Sequence, residues 1–491
     1  MPKMRFIKSL MKRIAWPYTP LFVTTFFVLW WIFKHFNLFE TNVDTLKYLL
    51  STIIQSKAAI IALVVTLSLI AVQLSSSTYS TRTIKIFKKM PDVWILLSWY
   101  GISICYDLLL LYGLNMEKRS LPFLTFISLW SAASALIALF PYILAVMRIL
   151  VPEAIIMQLA EDISSPLESS AFQAISDIVH LAFARHDYET VRKGISVMTE
   201  KAIIVIKKYD SDEFAARYCR HMEEIGGLFA TRDQYLTILV INCLTRFGET
   251  MLEKGVTEEH LIHALGYIGR TAANNGFEGA TKSAAESIGT LGKSIPYEKY
   301  AGGPFQDGYF HTEKATCIIS VLEDVGMAAT KQWGVFGAYW VKELGDIGVA
   351  MAKKKLLWGA HAAAGALNRL GIAALLRKSY GEYITTGLLQ SSVIDPLTEI
   401  GKIAHGSKGM KKAFERAAFA LWDIGMTAEV MDFGDLAKGA AKALAELATL
   451  DKEAVERELV AFVEREKRTK ESPALHSLYN FVNLYEKHLR R

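Results

Sequence analysis

The side chains of this 491-residue chain whose types and spacing point to chemistry lie in its apolar first third. Thr66, Gln73, Ser77 and Ser80 recur at intervals of seven, four and three residues. On a helix turning by about 100° per residue they fall within about 60° of one another. They form a polar stripe on a segment otherwise built of Leu, Ile, Val and Ala. Two roles fit such a stripe. Small hydroxylated side chains let neighbouring helices approach and hydrogen-bond across a bundle. Alternatively, copies of the helix meet around an axis and the stripe lines a path for an ion or solute. Just beyond it, Arg82, Lys85 and Lys89 share a basic face suited to anionic lipid headgroups. Asp107 is the one acid inside an apolar segment, and a carboxylate at that depth is costly enough to mark it as a functional candidate. A tyrosine hydroxyl, or Lys118 or Arg119 near the membrane surface, would instead neutralise it structurally.

Signatures of catalysis are absent. There is no GxSxG and no HExxH, and Gly292-Lys293-Ser294 has Ser287 where a phosphate loop needs its first glycine, so it reads as a helix end. His260 and His263 stand three apart near Glu259 and could present one face to a metal. Without a third identified ligand they read as surface histidines, and no catalytic residue, metal or cofactor is expected. Cys105, Cys219, Cys243 and Cys317 form no CxxC pair and read as isolated reduced thiols.

The elements that must carry the stripe and the acid are apolar segments of membrane-crossing length. Four are expected, at about 21–36, 58–80, 93–114 and 122–147, within a transmembrane region of residues 1–150. No helix breaker occurs between Ala58 and Pro91, so the second helix is expected to continue to about Lys89, roughly 45 Å in all. Residues 1–150 carry 15 Lys/Arg and five Asp/Glu, whereas residues 151–491 carry 40 and 44. The excess of cations thus belongs to the apolar part, beside lipid headgroups, and a nucleic-acid partner is excluded by the mildly acidic remainder. Basic residues crowd the N-terminal tail and the loop after the second span, which by the positive-inside rule puts both termini in the cytoplasm.

The run Gln73-Leu74-Ser75-Ser76-Ser77-Thr78-Tyr79-Ser80-Thr81-Arg82 resembles the motif of a prokaryotic family of predicted four-span membrane proteins of unknown function. Gln73, Ser76, Ser77, Tyr79, Ser80 and Arg82 match that motif, while Thr81 stands where proline is usual. The resemblance spans about the first third of the chain and implies a multi-pass inner-membrane protein. It implies no activity.

From about Pro152 onward the pattern is helical, with no alternating strand run. A polar or aromatic residue, an apolar one and glycine recur at Gly226, Gly269, Gly289, Gly326, Gly348, Gly371, Gly401 and Gly425, with a degenerate copy at Ala448. Most intervals lie near 22 residues or twice that, the length of one helix with its turn or of a helical hairpin. The expected fold is all-α: a four-helix transmembrane domain followed by an α-helical, HEAT- or armadillo-like solenoid. The solenoid is expected in two parts, 151–294 and 309–491, on either side of the Gly/Pro-rich stretch Ile295–Gly308. The functional expectation is a homo-oligomeric inner-membrane protein, a candidate channel or pore with a cytoplasmic assembly or gating domain. A membrane-anchored scaffold or sensor that binds a protein partner through its helical repeats is the alternative, and membrane lipids are partners in both.

Overall fold

The structure is a computed structural model that describes residues 23–32, 34–35, 43–78, 91–117, 122–149, 151–161, 163, 169–255, 259–294, 307–334, 337, 342–377, 382–407, 409–469 and 472–490. The described residues are all-α. They fall into two compact units, one of Met1–Asp162 with Gln173–Gly194 and one of Ile163–Phe172 with Ile195–Arg491.

Among the described residues of the first unit, three helices are long and apolar enough to cross a membrane: α2 (Val43–Thr78), α3 (Pro91–Glu117) and α4 (Pro122–Ile149). A shorter apolar helix, α1 (Val23–Ile32), is the described part of the first expected span; Phe26 and Trp30 set their rings edge-on against Phe126 of α4. The second helix differs from expectation at its start. It begins at Val43 rather than near Ala58, because Asp44 and Lys47 fill a polar first turn from which helix runs directly into the apolar segment. The expected extension to Lys89 lies outside the described residues. The same unit holds α5 (Pro152–Glu161), most of α6 (Ser169–Ala184) and the start of α7 (Tyr188–Tyr209).

The second unit is a double row of helices, some of them capped locally. Ser211 and Asp233 cap two of the N-termini by accepting from Phe214 N and Leu236 N, and Gly255 closes a helix in the left-handed region at φ 71°. One row runs through α8 (Asp212–Phe229), α10 (Glu259–Asn274), α12 (Asp307–Trp333), α14 (Leu357–Leu375) and α17 (Lys411–Val430). The other runs through α9 (Gln234–Lys254), α11 (Glu278–Ser294), α13 (Lys342–Lys353), α16 (Asp395–His405) and α18 (Gly434–Ala448). Each helix packs on the next member of its own row and on its hairpin partner; α15 (Glu382–Leu389) and α19 (Lys452–Thr469) pack on α18, and α20 (Ser472–Leu489) lies against α17 and α18. Helices on either side of 295–306 pack together, so both rows pass across that stretch.

The repeated glycines sit where consecutive helices of a row touch. At five of them the apolar residue before a later copy's glycine in the same row fills the gap, whereas Gly289 is met by Glu343 and Ile347 seats on Gly292. Ile268 lies over Gly226, Val325 over Gly269, Ile400 over Gly348, Ile424 over Gly371 and Leu447 over Gly401. A Cβ at Gly401 or Gly348 would stand 2.8 Å from the Leu447 or Ile400 side chain, closer than carbon atoms tolerate.

Candidate functional site within the membrane helices

The buried face of α2 advances by sevens: Leu50, Lys57, Val64 and Ala71. Three of the four are apolar, and the fourth is a lysine with 2% of its side chain exposed. Across from it, Ser103 and Asp107 lie one turn apart on α3, so both point at α2. Ser128 and Ser131, three apart on α4, close the third side.

The Lys57 ammonium donates to Asp107 Oδ2 at 2.6 Å, to Ser131 Oγ at 2.9 Å and to Ser103 Oγ. Those are the three donors an ammonium has. The other carboxylate oxygen, Oδ1, accepts from Ser128 Oγ at 2.6 Å, and Asp107 is fully buried. Ser131 donates in turn to the Ser128 carbonyl at 2.7 Å. The cluster therefore neutralises its own charges and satisfies the ammonium completely, which is what tolerates a charge pair among apolar helices. It joins all three long membrane helices through side-chain bonds.

Apolar layers seal this cluster on both sides along the bundle. Leu46, Leu50, Leu110 and Leu114 form one, and Val64, Leu96, Tyr100, Ala135, Ala138 and Tyr142 form the other. The tyrosine hydroxyls of the second layer are bonded within the bundle: Tyr100 donates to Ala135 O at 2.9 Å, and the Tyr142 hydroxyl lies 2.5 Å from Ser68 Oγ and 3.1 Å from Val64 O. Within a single copy, the described residues offer no continuous polar route along these helices. The arrangement can hold or pass a proton between Lys57 and Asp107 without moving a heavy atom, and it can lock three helices together.

The partner of Asp107, Lys57, is not one that the sequence singled out. Lys118 and Arg119 lie outside the described residues, and the neighbouring Tyr106 donates to Leu124 O rather than to the carboxylate. Lys57 takes the role because α2 starts early enough to carry it inside the bundle. Its signal in the sequence was the heptad step from Leu50 through Lys57 to Val64.

The stripe occupies the opposite side of the same helix. Thr66 and Gln73 lie about 160–180° around α2 from Lys57, and both are exposed. Thr66 donates to the Ala62 carbonyl at 2.8 Å, within its own helix. Neither side chain packs into the bundle of this copy. Ser77 continues the helix, but its side chain, together with Ser80, Arg82, Lys85 and Lys89, lies outside the described residues. The stripe and Asp107 thus belong to different sites, back to back across one helix wall.

Among known proteins, a family model described as "Predicted membrane protein (DUF2254)" matches residues 14–202. The matched stretch contains the apolar helices and ends close to where the first compact unit ends. No curated protein matches the chain. One solved structure similar to it is a "Circular tandem repeat protein with novel repeat topology and enhanced subunit contact surfaces". That match has 14% identity and a TM-score of 0.38, and it covers 81% of this chain and 98% of the other.

Proposed function

We propose that the chain is one subunit of a homo-oligomeric membrane assembly in which copies of α2 meet around an axis and the Thr66–Gln73 face lines a polar path. The helical rows then act as a cytoplasmic assembly or gating domain. A single observation carries this reading: the exposed amide of Gln73 and hydroxyl of Thr66 face away from their own bundle. An amide left against hydrocarbon is costly, so such a face calls for water or for another protein surface.

The test uses the full chain in lipid. With Cys105, the exposed membrane thiol, changed to serine, Gln73→Cys should form disulfide-linked copies on mild oxidation. Reconstituted bilayers should conduct, and Thr66→Leu with Gln73→Leu should abolish that conductance. Conductance unchanged in the double variant would overturn the path. Crosslinked copies without conductance would favour the membrane-anchored scaffold, in which the stripe serves only to join subunits.

A further inference from the structure

In the second unit, the first turn of α10 brings Glu259 and His263 to one side of the helix, and the packing of α12 against α10 brings Cys317 to the same point. His263 Nε2 is 3.5 Å from Cys317 Sγ and 3.9 Å from Glu259 Oε1, and the three donor atoms all lie within 4.8 Å of one another. We propose that Glu259, His263 and Cys317 form a binding site for a borderline-soft divalent metal ion of the zinc or cobalt class, with water in the fourth position.

The separations fit a shared ion. A tetrahedral ion with a metal–sulfur bond of about 2.3 Å and a metal–nitrogen bond of about 2.0–2.1 Å holds sulfur and nitrogen roughly 3.5 Å apart. The carboxylate is slightly too distant, and a rotation of the exposed Glu259 side chain closes the gap. The donor set of one sulfur, one imidazole nitrogen and one carboxylate oxygen suits zinc or cobalt, whereas magnesium and calcium take oxygen donors.

A cysteine–histidine–glutamate nucleophile is the competing chemistry for these residues. It needs the thiol on one ring nitrogen and the carboxylate on the other, so that the acid orients the base. Here the sulfur and the carboxylate oxygen both approach Nε2. Convergence on one atom leaves the ring without an orienting acid but points three donors at one place. Burial and then the Glu259 charge favour the protonated thiol. As the metal–sulfur bond forms, that proton leaves to solvent, and the ion ties α10 to the next helix of its row.

The full chain, purified in detergent under reducing conditions and stripped with chelator, would be titrated with Co(II) and then with Zn(II). One equivalent of cobalt should bind with a thiolate-to-metal charge-transfer band, which zinc then removes. Cys317→Ser should abolish the band and weaken binding by about 100-fold or more, since even outer-shell changes cost roughly 10–100-fold. His263→Ala, at an exposed position, gives the same loss should the serine variant misfold by circular dichroism. His260→Ala should bind as the parent does. The absence of a charge-transfer band, its survival in a folded Cys317→Ser or in His263→Ala, or its loss in His260→Ala would each overturn the assignment.

Discussion

Two lysine–carboxylate pairs in this molecule have the same length and opposite surroundings. Lys57–Asp107 in the membrane helices and Lys402–Glu446 in the helical rows both measure 2.6 Å from nitrogen to oxygen. The first is 2% and 0% exposed and lies among serines; the second is 49% and 41% exposed. The two regions answer two solvents. Against hydrocarbon, charge is folded inward and bonded on every side. Against water, the rows put alanine and glycine between their helices and leave charge outside. Distance is thus a poor guide to energy: what matters is what each ion would meet if its partner were removed.

The largest effect is expected from removing one member of the buried pair. Asp107→Ala leaves the Lys57 ammonium among apolar layers with two serines, at a cost of about 3–5 kcal/mol. Thermal unfolding in detergent should show a much lower midpoint, or the variant should fail to accumulate. Replacing both, as Lys57→Met with Asp107→Leu, should recover most of that stability, because an apolar pair of similar volume removes the unpaired charge. A double variant no better than Asp107→Ala would mean that the cluster's serine bonds, rather than charge pairing, hold the bundle together. A double variant that is stable but alters conductance would give the pair a role beyond locking the helices.

A smaller effect is expected from the helix contacts of the rows. Gly401→Ala drives a methyl group into Leu447, and overpacking of this kind costs about 1–3 kcal/mol. Gly434, at the start of α18, has nothing within 4 Å of the position a Cβ would take, and Gly434→Ala should be neutral or slightly stabilising. Chemical denaturation of the two variants compares them directly. Equal stability would deny the repeated glycine its role as the seat for the next helix.

Much of that role was legible in the residues themselves. The recurrence of an apolar residue and glycine marked a helical, repeat-like domain. What the sequence concealed is that at five copies the apolar residue seats on the glycine of an earlier copy in its own row, two or more helices back in the chain. The polar first position also acquires a reason. Asp324 receives Arg270 at 3.9 Å and Glu446 receives Lys402, so the base following one glycine meets the acid opening a later copy. The membrane site was half legible. An acid in an apolar run announces itself, whereas Lys57 hides at the edge of the same kind of run because a lysine there reads as the end of a span. Glu259 and His263 are neighbours on one helix turn, but Cys317 joins them across a helix packing that no local pattern records. The stripe was legible as a face, and only the packing of α2 revealed that this face turns outward.

The smallest effect sharpens the comparison most, because it concerns a pair of the same length as the buried one. Lys402→Ala removes an exposed ammonium whose charge water already screens, and exposed pairs of this kind are worth about 0.2–1 kcal/mol. Glu446 is then left in solvent rather than in hydrocarbon, so no unpaired buried charge results. The loss should shrink further as salt is raised through the range where the Debye length falls from about 10 Å to about 3 Å. Repeating the Asp107→Ala measurement across the same salt series should leave its much larger loss unchanged, since ions do not enter the sealed layers around Lys57. A salt-sensitive Asp107→Ala, or a Lys402→Ala as damaging as it, would show that water reaches both pairs alike and would remove the distinction between the two regions.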